Sequence, residues 1–164
     1  MKHVFWLEPG RIAGRCGPNL EPWDPVELYA HGIGAVISLN NAERVYPDEF
    51  AALGMRYTHV PLSNAAPPRP GDLELNVRQL PVAFDWITSC LNDGLAVLMH
   101  CRSGKDRTGL LMAYYLARRF CCEPDEAVAR VKAVRPIAFS SEGWGQFAID
   151  MLSALNRWPE LTIR

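Results

Sequence analysis

The chain has no long apolar run, no excess of one charge and no cysteine pair spaced for a metal or a redox couple. Each absence removes a class of function. Met1 to Gly10 already carry a Glu and a Pro, so they do not read as a secretion signal, and no later stretch approaches a membrane span. The formal net charge is -1 with 21% charged residues. No general positive field therefore attracts nucleic acid or an acidic membrane, and any preference for anions must be local. Cys16, Cys90, Cys101, Cys121 and Cys122 are odd in number and include no Cys-x-x-Cys. They read as reduced thiols of a cytoplasmic protein, and adjacent Cys121 and Cys122 suit tetrahedral zinc chelation poorly. No metal and no other cofactor is expected. Internal repeats and low-complexity segments are absent too.

What is present fills one core. A chain of 164 residues, 49% of them apolar, fits a single domain over residues 1–164. Asp24 before Pro25 predicts a helix cap and first turn, and Gly32 closes that helix near His31. Ala35 to Leu39 is a short apolar run that suits a strand covered on both faces. A second helix is expected from about Pro47 to Leu53, and Met55 to Val60 alternates like a strand. Pro61 to Gly71, with four prolines, is a loop. Beyond it Leu73, Val77, Leu80, Phe84, Ile87 and Leu91 mark one face of a helix, and Pro81 either kinks it or starts a new one. Leu95 to Met99 is the most apolar strand, and it runs into His100 and Cys101. Thr108 to Phe120 predicts a central buried helix. Pro124 to Val134, ended by Pro136, and Ser141 to Leu155 predict two more. This alternation gives an α/β domain with a largely parallel sheet flanked by helices, in which ligands bind where strand ends meet helix starts.

The most informative residues lie at such a place. The turn reads His100-Cys101-Arg102-Ser103-Gly104-Lys105-Asp106-Arg107-Thr108-Gly109. A cysteine and an arginine five residues apart, between a buried strand and a buried helix, allow the loop to curl until successive N–H groups face inward. That makes a concave anion site at a helix N-terminus. The backbone of Arg102, Ser103, Gly104 and Lys105 would bind the phosphate, with Gly104 supplying the permissive dihedral. Arg107 can fork onto two phosphate oxygens, which lysine cannot do. The same dipoles favour a thiolate, so Cys101 would be a nucleophile that attacks phosphorus. Thr108 can donate its hydroxyl to the departing sulfur, and His100 orients the loop rather than transferring protons. A nucleotide-binding Walker loop is excluded, because it needs Gly at Met99 and Ser or Thr at Asp106.

His-Cys-x-x-Gly-x-x-Arg-Thr-Gly resembles the signature of the protein tyrosine phosphatase superfamily. The whole chain is similar to its small atypical dual-specificity phosphatases. Trp6 to Gly14 resembles their first hairpin, Gly32 to Leu39 their second strand, and Arg135-Pro136 sits where they end a helix. The resemblance implies one phosphatase domain, no metal, and a two-step reaction through a cysteinyl-phosphate. It also implies a general acid on the loop after the Met55 to Val60 strand, yet Pro61 to Gly71 contains no acid. Asp72 follows at once, but after Pro-Gly it reads more simply as a helix N-cap. Asp106, inside the bowl, resembles the aspartate of Gly-Lys-Asp-Arg-Thr in myotubularin-type lipid phosphatases and some bacterial tyrosine phosphatases. It can protonate the leaving oxygen, or else pair with a neighbouring cation or cap the following helix. Lys105 and Arg102 resemble the basic loops of phosphoinositide phosphatases. Phosphorylated protein or peptide is thus the first expected substrate and phosphoinositide the second, with a phosphate-binding module of weak turnover as the other class. No nucleic-acid partner and no stable membrane insertion are expected. Helix-end Cys121 and Cys122 read as structural.

Overall fold

The computed structural model of the chain describes residues 1–157; residues 158–164 of the expected domain lie outside the described residues. The hairpin of β1 (Phe5–Glu8) and β2 (Ile12–Cys16) is antiparallel. Then follow α1 (Pro25–Ala30), β3 (Ile33–Ser38), α2 (Pro47–Ala52), β4 (Arg56–His59), α3 (Asp72–Asn92) and β5 (Ala96–Cys101). Three helices complete the described chain, α4 (Arg107–Phe120), α5 (Pro124–Val134) and α6 (Trp144–Arg157). The sheet has five strands in the order β1-β2-β5-β3-β4, and every pairing except β1 with β2 is parallel. This is the α/β architecture that the alternating pattern predicts.

The burial of the central strands explains their unbroken apolar sequence. Both faces of β5 and β2 are covered, so no position on them can be polar without a partner. Ile12, Ile37, Val97 and Met99 face the layer built by α3 to α6, while Ala13, Val36 and Leu98 face α1 and α2. Asp24 caps α1 as expected, its carboxylate accepting from the Val26 N–H at 2.9 Å. α4 is buried from Thr108 to Ala117 and forms the centre of the larger layer.

Pro81 leaves two readings open, and the structure shows one helix: α3 runs through it over 21 residues. Three expectations are corrected. Asp72 is not the N-cap of α3: Gly71 holds that position at φ +93°, and the Asp72 carboxylate turns back to accept from the Arg69 N–H at 2.7 Å. The Pro-Gly turn demands a left-handed residue immediately before the helix, and glycine meets that demand without strain. The last helix starts at Trp144 rather than Ser141, because residues 141 to 143 form the turn that aims it. The strand expected at 95–99 also extends through Cys101 itself, which places the thiol at the C-terminal edge of the sheet.

Candidate active site

The bowl is built between the end of β5 and the start of α4, and carbonyl directions define it. The Arg102 carbonyl accepts from the Gly17 N–H at 2.9 Å. Arg135 reaches from the end of α5 to the next two, donating from Nη2 to Ser103 O at 2.7 Å and from Nε to Gly104 O at 3.2 Å. Lys105 O and Asp106 O accept from Gly109 and Leu110 in the first turn of α4. Five consecutive carbonyls are therefore engaged by partners behind the loop. In a trans peptide plane the C=O of one residue points away from the N–H of the next. The N–H groups of Ser103, Gly104, Lys105, Asp106 and Arg107 consequently turn to the concave side, giving a cradle for a tetrahedral anion at a helix N-terminus. Gly104 sits at φ +66°, and a Cβ there would lie 2.6 Å from the Arg15 backbone, so both its dihedral and its close approach require glycine.

Cys101 lies at the base of this cradle, 2% exposed. Thr108 Oγ1 donates to its Sγ at 3.1 Å, the contact expected of a group that stabilises sulfur as it departs. Arg107, the first residue of α4, has its guanidinium 5.5 Å from the centre of the Trp144 ring. Its Nε is buried and meets no acceptor among the described residues. A phosphate oxygen would satisfy that donor.

His100 acts below the loop. Its ring is fully buried against the edge of Trp23, at a centroid distance of 4.9 Å. Burial pushes its pKa down to about 4, so at neutral pH the ring carries one proton. Nδ1 lies 3.0 Å from Cys101 O and is the donor to it, leaving Nε2 to accept from Ser38 Oγ, which in turn accepts from the Tyr57 hydroxyl at 2.8 Å. The imidazole thus fixes the strand end that presents Cys101.

The two candidate acids are placed very differently. Asp106 is 4% exposed and sits at the start of α4 without capping it, since its side chain makes no bond to the first turn. Nor does it form an ion pair among the described residues. Its Oδ1 accepts from the Ser141 N–H at 3.4 Å. Asp72 is tied to Arg69, at the far end of the acid-free loop. Lys105 extends to Ser140 Oγ at 3.1 Å, and Arg102 is exposed at the rim.

Sequence reasoning passed over the residues that hold the loop from Pro61 to Gly71. Leu62 N–H donates to Leu39 O, and Ser63 is fixed by Asn76, whose amide accepts from the Ser63 N–H at 3.0 Å and donates to its Oγ at 2.9 Å. Asn64 accepts from Asn40, and Ala65 O accepts from Trp144 Nε1 at 3.0 Å. The wall of the site is tethered at each of these steps. Asn76 could have been found: it is a polar residue on the apolar face of α3, four before Leu80, and such a position requires a buried partner. Arg135 could not, because an arginine before a proline reads as an ordinary helix end.

The sequence agrees with this geometry. The model of the PTP-SAK family, the Swiss Army Knife protein DSP-PTPase phosphatase domain, matches residues 1–143. The chain belongs to this family. The dual specificity protein phosphatase CDC14AB of Danio rerio is 25% identical over 144 residues, 80% of this chain and 22% of the relative. The chain therefore spans about a fifth of that relative's length. A crystal structure of a mutant form of Tk-PTP is similar over 98% of this chain and 99% of that one, with a TM-score of 0.75 and 26% identity. PTPMT1 in complex with PI(5)P shares the fold at a TM-score of 0.73 with 13% identity, over 95% of this chain and 98% of that one. In this DSP-PTPase domain, no described helix is long and apolar enough to cross a membrane.

Proposed function

We propose that residues 1–164 form one catalytic domain that hydrolyses phosphomonoesters through a cysteinyl-phosphate on Cys101. The observation that carries this reading is the set of five carbonyls held from outside around a buried cysteine, because it turns five donors onto one anion. The phosphate is gripped by those N–H groups and by the fork of Arg107, all in place before the reaction. The Cys101 thiolate attacks phosphorus, the ester P–O bond breaks, and Asp106 gives its proton to the leaving oxygen. In the second step water attacks the cysteinyl-phosphate, the Asp106 carboxylate takes the proton from water, and sulfur leaves as thiolate with the Thr108 hydroxyl donating to it. The burial of Asp106 at the mouth of α4 and the tethering of an acid-free loop both support this choice of acid.

Phosphotyrosine, with phosphoserine or phosphothreonine, in proteins or peptides is the first substrate class, supported by the family and by the named activity of its CDC14-type relatives. Phosphoinositide headgroups are the second, supported by Lys105 and Arg102 at the rim and by the fold shared with PTPMT1 in complex with PI(5)P. Five free thiols support a reducing, cytoplasmic setting. The test is hydrolysis of an aryl phosphate without added metal, followed by a panel of phosphotyrosyl peptides, phosphothreonyl peptides and phosphoinositides. Retention of phosphate with no turnover would instead make the chain a binding module.

A further inference from the structure

We infer that Trp144 is a positioning residue of this site, holding Arg107 and the 61–71 segment as one unit. The inference rests on the phosphate-hydrolysing reading above. Trp144 opens α6, is 0% exposed, and has two differently occupied sides. Its Nε1 donates to Ala65 O at 3.0 Å, while its ring carries the Arg107 guanidinium at 5.5 Å from the centroid. The edge of Phe147, centroids 5.2 Å apart and planes at 81°, fixes the indole from behind. One residue earlier, Gly143 lies against the same loop: a Cβ there would stand 2.9 Å from Pro68 Cδ and 3.3 Å from Pro67 Cβ. The start of α6 is therefore packed on the wall of the bowl at two consecutive positions.

The consequence follows from what Arg107 lacks. No carboxylate among the described residues pairs with it, and its Nε has no acceptor there. A guanidinium on a flexible stem loses its fork geometry unless something fixes its plane, and here the aromatic face does so while leaving the donors free for an oxyanion. A carboxylate in that place would compete with phosphate; a ring does not. Because the same indole also anchors Ala65, the phosphate grip and the substrate wall are set by one side chain.

Two substitutions separate the two sides. Trp144→Phe keeps a ring under Arg107 and removes the N–H; Trp144→Leu removes both. The readouts are inorganic tungstate affinity by calorimetry, amide exchange from Asn64 to Arg69, and kcat and KM on a phosphotyrosyl peptide, with circular dichroism checking the fold. In Trp144→Phe, tungstate affinity should stay within about twofold, loop exchange should speed up about tenfold, and KM should rise about fivefold with kcat little changed. In folded Trp144→Leu, tungstate should bind about tenfold more weakly and kcat should fall in parallel, the size of a lost cation–π support. Wild-type tungstate affinity in folded Trp144→Leu, or wild-type exchange and KM in Trp144→Phe, would overturn the inference. If the leucine variant does not fold, the phenylalanine variant decides alone. A wild-type protein that binds tungstate without turning over any phosphate ester would remove the proposed function but leave Trp144 to be judged on tungstate and exchange.

Discussion

The segments Cys101–Arg107 and Pro61–Gly71 border the same bowl, each follows a parallel strand, and they are held in opposite ways. The first is fixed through its backbone carbonyls, by Gly17, Arg135 and the opening turn of α4, so its N–H groups and side chains stay available to a ligand. The second is fixed by side chains from elsewhere, Asn76, Asn40 and Trp144, and carries four prolines and no acid. The first segment carries the candidate nucleophile and arginine, and the second is a wall. The proposed choice of acid rests on this difference: the second segment contains no acid, and Asp106 lies buried within the first, where a proton donor would keep its geometry through both steps.

The sharpest break of this contrast lies at the proposed nucleophile. Cys101→Ser should lower turnover of any phosphomonoester by at least about a thousandfold, because a hydroxyl is hardly ionised at neutral pH. Tungstate binding should survive, since the donors that make the cradle are backbone. Substantial turnover in that variant would sink the mechanism. Next in size is Arg107→Lys, expected to lose about a hundredfold or more in kcat/KM although its charge is kept, as a point charge cannot hold two oxygens in one plane. Near-normal rates would mean that Arg107 stands away from the phosphate.

A smaller and riskier effect compares the two segments directly. Asp106→Asn should slow phosphotyrosine or phosphothreonine hydrolysis by about a hundredfold and p-nitrophenyl phosphate much less, because an activated leaving group scarcely needs a proton. Asp72→Asn should leave that ratio unchanged. The Asp72 carboxylate is bonded to the Arg69 N–H, and the Asn side chain can accept the same bond. The reverse pattern, with leaving-group dependence following Asp72, would return the acid to the wall and end the contrast.

The first segment was legible in the sequence because its chemistry is local. Cys101 and Thr108 are seven residues apart, the needed dihedral sits at a glycine, and the strand before and helix after announce themselves by their apolar patterns. The curl of this loop and the meeting of Thr108 with Cys101 were readable without knowing what lay behind it. The second segment was not legible, since its tethers come from far along the chain: Ala65 meets Trp144 across 79 residues, and Asn64 meets Asn40 across 24. A tryptophan at a helix start reads as core, and an asparagine after a strand reads as turn. The same distance hid Arg135, which reaches Ser103 across 32 residues. Asp72 failed for a different reason: two residues suited to start a helix stood side by side, and the backbone conformation of the Pro-Gly turn chose Gly71.

The mildest test probes what lies beneath the first segment. His100 is neutral in the folded protein with a pKa of about 4, against an ordinary value near 6.5, because burial penalises its charged form. Between those values the unfolded chain binds a proton that the folded chain refuses, so stability rises with pH through this window and falls as pH drops from about 6.5 towards 4. Above the window both states are neutral, and His100 contributes no slope. By pH 5 the expected loss is about 2 kcal/mol, an order-of-magnitude figure from the two pKa values. Urea unfolding at pH 8, 6 and 5 measures it. His100→Gln should be less stable at pH 8, since its amide replaces the bonds to Ser38 and Cys101 imperfectly, yet it should show a flatter dependence down to pH 5. An equal slope in the two proteins would place the titrating group elsewhere, and the imidazole would then no longer account for how the strand end beneath Cys101 is held.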